Sequence, residues 1–291
     1  MHFPVSGVET FALLPPAVAF TISFFTSMAG VSGAFLLLPF QVSVLGFASP
    51  AATATNFVYN VVGTPGGVWR YLRERRVPWP LTLAMLGGTL PGVLIGYHLR
   101  IRYLPDPRAF KFFVGLVLLG VAARLVVDLT RSPFSAPPAR EAAAVSRAAC
   151  GLRTASFSFM GRCYSFSVAG LLLAALAVGI VGGIYGIGGG AILAPFCVTV
   201  LGLPVYAVAG AVLAANFATS LAGVGIYSLV PLGPGQAAPP DWLLGAFLGV
   251  GGLGGMYLGA KCQRFVPEKP IKAGLAAIVL TVSAGYVRQY F

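Results

Sequence analysis

Two long stretches of this chain carry no charged side chain, from Thr10 to Trp69 and from Cys163 to Pro240. Apolar residues run through them continuously. They do not alternate as in a membrane β-barrel, and they leave no polar face for water. A helix that crosses a bilayer needs about 20 such residues. The pattern therefore predicts eight apolar helical stretches: about Pro16–Gly46, Ala51–Tyr71, Trp79–Leu99, Phe110–Val127, Phe166–Gly202, Pro204–Val230, Trp242–Ala260 and Ile271–Tyr290. The first is interrupted near Gly30–Gly33 and the fifth at Gly186–Gly190. Trp69, Trp79 and Trp242 fall at stretch ends, where indole rings prefer the membrane interface.

The order repeats. Gly30–Phe40 and Gly186–Phe196 share a phrase 156 residues apart, and the register holds through Asn60 and Asn216, with 11 identities in 31 positions. The predicted fold class is all-α: a polytopic helical membrane protein of two homologous halves whose first helices are broken at glycine. Residues 1–128 form the first membrane repeat, 129–165 a linker, and 166–291 the second repeat. The linker is rich in Ser, Pro, Ala and Arg, which suits a solvated cytoplasmic connection with one helix lying on the surface.

The first and fifth stretches are too long for one straight crossing. Each is either a broken crossing or a hairpin that returns to its own side. With simple crossings the 19 Lys and Arg residues divide 11 against 8; with hairpins they divide 14 against 5. The positive-inside tendency favours hairpins. Each half then crosses an odd number of times, and the halves are inverted relative to each other.

Composition sharpens this picture. Charged residues make up 9% of the chain, against about 25% in soluble domains. The net charge of +12 sits in loops, as membrane orientation requires, and does not call for nucleic acid. No basic segment followed by a cleavage site precedes the first apolar run, so no cleavable signal peptide is expected. Cys150, Cys163, Cys197 and Cys262 show no metal-binding spacing; neither metal nor cofactor nor structural disulfide is expected. The expected partners are the lipid bilayer and a small anionic substrate, with a homodimer left open.

Inside a membrane, irregular backbone is tolerated only where it is buried in protein or lines a cavity. Gly186, Gly188, Gly189 and Gly190 let the chain turn sharply and free peptide N–H groups at a helix start, where an anion is stabilised. Gly30, Ser32 and Gly33 are the sparser copy, with a hydroxyl at Ser32. Asn60 and Asn216 are buried amides serving either as substrate contacts or as helix–helix hydrogen bonds. Thr53, Thr55, Asn56, Thr219 and Ser220 lie within two helical turns of one or the other. The glycines at 87, 88, 92, 96, 251, 252, 255 and 259 are expected to serve close helix packing instead. All seven acidic residues map to loops or stretch ends, so no carboxylate relays protons in mid-membrane.

The glycine run leading into Leu-Ala-Pro-Phe, its partner ending in Leu-Leu-Pro-Phe and the paired asparagines resemble the TauE/SafE sulfite exporter family over nearly the whole chain. The first copy departs from it by having only two glycines. The resemblance implies a secondary transporter or permease, multi-pass in the cell inner membrane, that exports sulfite, sulfonates or related organic acids. It implies no enzyme activity. A passive anion channel is the alternative. A second is an intramembrane serine protease using Ser32, with His98 as its sole candidate base.

Overall fold

The computed structural model describes residues 1–28, 32–130, 145–150, 153–159, 161–231, 238–262 and 268–290. A two-residue hairpin, β1 (His2–Phe3) and β2 (Val8–Glu9), precedes eleven helices among the described residues. The first half holds α1 (Leu14–Met28), α2 (Ala34–Ser43), α3 (Pro50–Gly63), α4 (Pro65–Arg73), α5 (Trp79–Arg102) and α6 (Pro107–Thr130). A three-stranded antiparallel sheet follows, made of β3 (Val145–Cys150), β4 (Thr154–Phe159) and β5 (Arg162–Ser167). The second half holds α7 (Val168–Tyr185), α8 (Gly190–Thr199), α9 (Val205–Leu229), α10 (Trp242–Cys262) and α11 (Glu268–Arg288). Among the described residues six helices are long and apolar enough to cross a membrane: α5, α6, α7, α9, α10 and α11.

Three local features depart from expectation. The second apolar stretch is two helices, because Pro65 has no N–H to continue the ladder; Thr64 closes α3 by donating to Asn60 O at 3.0 Å. The linker's described part is the sheet, not a surface helix. Ala155, Phe157 and Phe159 alternate with Ser156 and Ser158, so one face of β4 buries its side chains against Leu81, Met85, Leu193 and Cys197. The N-terminal hairpin is anchored as well. Phe3 is buried edge-on to Phe247 at 6.0 Å, and Ser6 donates from its N–H and its hydroxyl to the Asp241 carboxylate at 3.0 and 2.8 Å.

Small residues set which helices touch and in what direction. A Cβ built on Gly88, Gly92 or Gly96 would strike α7 at Ala175, Gly179 and Gly183 in turn. The contacts advance together, so α5 and α7 run parallel at close approach. On the other side Gly251, Gly255 and Gly259 of α10 meet Pro16, Phe20 and Phe24 of α1 in the same manner. Thr89 bonds Thr219 at 2.9 Å and Tyr97 stacks edge-on to Tyr227, which aligns α9 with α5. Gly245 and Gly249 meet Val58 and Val62, which aligns α3 with α10. Finally Phe57 meets Gly223 while Gly67 meets Leu213, so α3–α4 runs antiparallel to α9. Thus α1, α3 and α10 point one way, and α5, α7 and α9 the other.

The chain also doubles back within each half. Gly189 lies against Val178, and a Cβ at Gly182 would meet the Gly189 nitrogen, so the segment after α7 returns along it. Gly33 lies likewise against Ser23 and Thr26 of α1.

Candidate functional site

The turn between α7 and α8 is built by glycine conformations. Gly186, Gly188 and Gly189 have φ of 83°, 68° and 76°, left-handed values that other residues adopt only under strain. Gly186 closes α7 by donating to Gly182 O at 2.7 Å, and Gly189 caps the start of α8, whose first residue is Gly190. The amides of Ile187, Gly188 and Gly189 form no hydrogen bond among the described residues.

The carbonyls of this turn, in contrast, are satisfied by side chains. Tyr227 Oη donates to Gly183 O at 2.8 Å and Thr53 Oγ1 to Ile184 O at 2.9 Å. Asn56 and Asn60 both donate to Gly186 O at 3.3 Å. Asn216, 4% exposed, is oriented by its neighbours: its amide nitrogen donates to Ile187 O at 3.0 Å and Gly188 O at 2.8 Å. The amides therefore bind main chain here. Thr55 donates to Ala51 O at 2.8 Å, and Thr219 pairs with Thr89, so those hydroxyls are engaged too. Ser220 Oγ differs: it is buried, has no partner, and a Cβ at Gly188 would fall 2.7 Å from it.

In the first copy, Gly30 lies outside the described residues. Ser32 is half-buried, and its Oγ accepts from the Ala34 N–H at 3.3 Å. Gly33 precedes α2 as its cap with an ordinary helical φ of −65°. It packs against the Ser23–Tyr59 hydroxyl pair, which is bonded at 2.9 Å.

The two copies meet at α3. Asn56 Nδ2 donates to Ala34 O at 3.0 Å in one copy and to Gly186 O in the other. Tyr185 Oη reaches across to Phe35 O at 2.6 Å. Gln41 Nε2 donates to Asn56 Oδ1 at 3.4 Å, which leaves Gln41 Oε1 and Asn60 Oδ1 buried without partners. Gln41, Tyr185 and Tyr227 were not foreseen from sequence. A polar amide inside an otherwise apolar helix was the available signal for Gln41. The tyrosines gave none, since an aromatic residue in a membrane span reads as packing.

A family model described as "Sulfite exporter TauE/SafE" matches residues 16–286. The chain belongs to the TauE/SafE sulfite exporter family. Neither a curated protein nor a solved structure matches it. That is a family of transporters, which agrees with six apolar helices and a multi-pass membrane protein. A groove of about 830 Å³ elsewhere, between α1, α2 and α11, is lined by Phe25, Leu36, Phe40, Ile278 and Val282, which suits acyl chains and not an anion.

Proposed function

We propose that this TauE/SafE protein is a secondary transporter that exports sulfite, sulfonates or related small organic acids across the cell inner membrane. The observation that carries this reading is the run of unengaged N–H groups at Ile187–Gly189, buried at the start of α8. The neighbouring carbonyls are capped by Tyr227, Thr53, Asn56, Asn60 and Asn216, so the turn's remaining hydrogen-bonding capacity is donor in character. Donors at the positive end of a helix favour an anion, and neutral donors allow it to leave again. On this reading Gly186, Gly188, Gly189 and Gly190 hold the substrate from one half and Gly30, Ser32 and Gly33 from the other, while Asn216 and Asn60 shape the site by binding the turn's carbonyls.

The helix directions support two inverted halves, residues 1–128 and 166–291; the distribution of Lys and Arg is what argues for a cytoplasmic linker. α5 and α10 hold equivalent places in the repeat and point opposite ways, as inversion requires. The turn is filled in this conformation, since a Cβ at Gly188 would collide with the Asn216 amide. Access requires the α7–α8 hairpin to part from α3 and α9, exposing the turn alternately to either side. A protease reading has nothing to build on: Ser32 Oγ contacts its own Ala34 amide, and the exposed His98 is bonded to Leu94 O at 2.8 Å.

Counterflow of labelled sulfite in proteoliposomes tests the proposal. Saturable uptake driven by unlabelled sulfite inside is expected. Unitary currents in a planar bilayer, without counterflow, would mean a channel, and no anion flux at all would remove the transport reading.

A further inference from the structure

Among the described residues around the Gly186–Gly189 turn, one hydroxyl has nothing to donate to. Tyr227 and Thr53 give their protons to the carbonyls of Gly183 and Ile184, and Thr219 pairs with Thr89. Ser220, on α9, is fully buried and its Oγ has no partner. A buried hydroxyl left without an acceptor is unfavourable, so one that persists in a folded protein needs a reason.

A local remedy exists. A serine or threonine inside a helix can donate to the carbonyl four residues back. Thr64, which holds the equivalent place 156 residues earlier, does so, donating to Asn60 O at 2.7 Å. Ser220 forgoes the same bond to Asn216 O. Its Oγ faces Gly188 instead, where a Cβ would fall 2.7 Å away.

The repeat accounts for this direction. The residue equivalent to Gly188 is Ser32, so the first turn carries a hydroxyl of its own. The second turn has no side chain at that position, and α9 places a hydroxyl beside the point where one would begin. Each half therefore brings one hydroxyl to its turn, from the turn itself in the first half and from α9 in the second. Packing against Gly188 does not require it: alanine would leave no orphaned donor.

We infer that Ser220 is a binding residue of the anion site at this turn, its hydroxyl donating to an oxygen of the bound oxyanion once the α7–α8 hairpin parts from α9. The inference deepens the transport reading and rests on it. It adds a side-chain donor, directed at Gly188, to the main-chain donors of the turn.

Ser220→Ala removes the hydroxyl and adds no bulk. In proteoliposomes it should raise KM for sulfite about tenfold or more, the effect of one hydrogen bond to a charged group, with kcat little changed. Its melting temperature in detergent should equal or exceed that of wild type, because no intramolecular bond is lost. The stabilisation that sulfite gives wild type should shrink in the variant. Thr64→Ala should do the opposite: it loses the bond to Asn60 O, so it should melt lower and keep KM near wild type. Ser220→Cys keeps the shape with a weaker donor, so its KM should fall between those of wild type and Ser220→Ala. An unchanged KM in Ser220→Ala overturns the inference. A melting temperature well below wild type overturns it too, since the hydroxyl would then have a structural partner. A wild-type protein with neither saturable sulfite flux nor stabilisation by sulfite is a separate result that defeats the transport reading itself.

Discussion

Gly33 and Gly189 hold equivalent places in the repeat, 156 residues apart, yet each must be glycine for a different reason. Gly33 has φ −65° and ψ −21°, which any residue adopts. What excludes a side chain there is space. A Cβ would fall 2.8 Å from Tyr59 Oη and 2.9 Å from Ser23 Oγ. Gly189 is the reverse. Its φ of 76° is left-handed, while a Cβ would meet only Val178 at 3.4 Å and Thr89 at 3.5 Å, ordinary contacts. An identical letter in two copies of a motif therefore does not establish an identical cause. The first turn is crowded. The second is conformationally demanding.

The sharpest way to break this contrast is to compare Gly188→Val with Ser32→Val, since the two positions are equivalent. At Gly188 both causes coincide: φ is 68°, and a Cβ would collide with the Asn216 amide and crowd Ser220. Sulfite counterflow should be abolished, and the melting temperature in detergent, followed by intrinsic fluorescence, should fall by several degrees. Ser32 is half-buried and loses only the 3.3 Å contact with Ala34 N–H. Ser32→Val should melt close to wild type and lose only part of the sulfite counterflow, the share its hydroxyl supplies to the substrate. Equal damage at both positions would mean that the two turns are alike after all.

The duplicated phrase was legible in the sequence, and the structure adds matching hydrogen bonds within its two copies. Leu36 and Leu37 donate to Gly33 O as Ile192 and Leu193 do to Gly189 O, and Phe47 donates to Gln41 O as Leu203 does to Cys197 O. Gly46 and Gly202 both take left-handed φ, 69° and 64°. These are local consequences of shared sequence, so an offset of 156 carries them over. What was not legible depends on tertiary placement. The amides of Asn60 and Asn216 read equally well as substrate contacts or as helix bonds. Only folding shows that they meet the carbonyls of one turn. Arg100 sits among Arg102, Arg108 and Lys111 in sequence and reads as one more loop cation, whereas the four-residue stripe of α5 carries it inside. The Ser-Phe alternation of β4 was the signal for a strand, masked by the Ser, Pro and Arg around it.

A smaller effect isolates crowding at the first turn. Overpacking a closely fitted site costs roughly 1–3 kcal/mol, so Gly33→Ala should destabilise by about that much in chemical or thermal unfolding. Tyr59→Phe removes one partner of the Ser23 bond at about 1 kcal/mol, but it also removes the atom nearest the new methyl group. The double variant should then be more stable than the sum of the single effects predicts, by ~0.5 kcal/mol or more. Simple additivity would show that the Tyr59 hydroxyl is not what excludes a side chain at Gly33.

The smallest effect tests conformation at the second turn. A left-handed φ costs an ordinary L-residue about 1–2 kcal/mol, with asparagine the usual exception. Gly189→Ala should carry that penalty, and Gly189→Asn less of it, although asparagine is the larger side chain. At Gly33 the order should invert, because there bulk decides and asparagine is worse than alanine. A reversal of rank between equivalent positions depends on no absolute energy scale. It follows only if φ governs one glycine and space the other; the same rank at both turns would return them to a single cause.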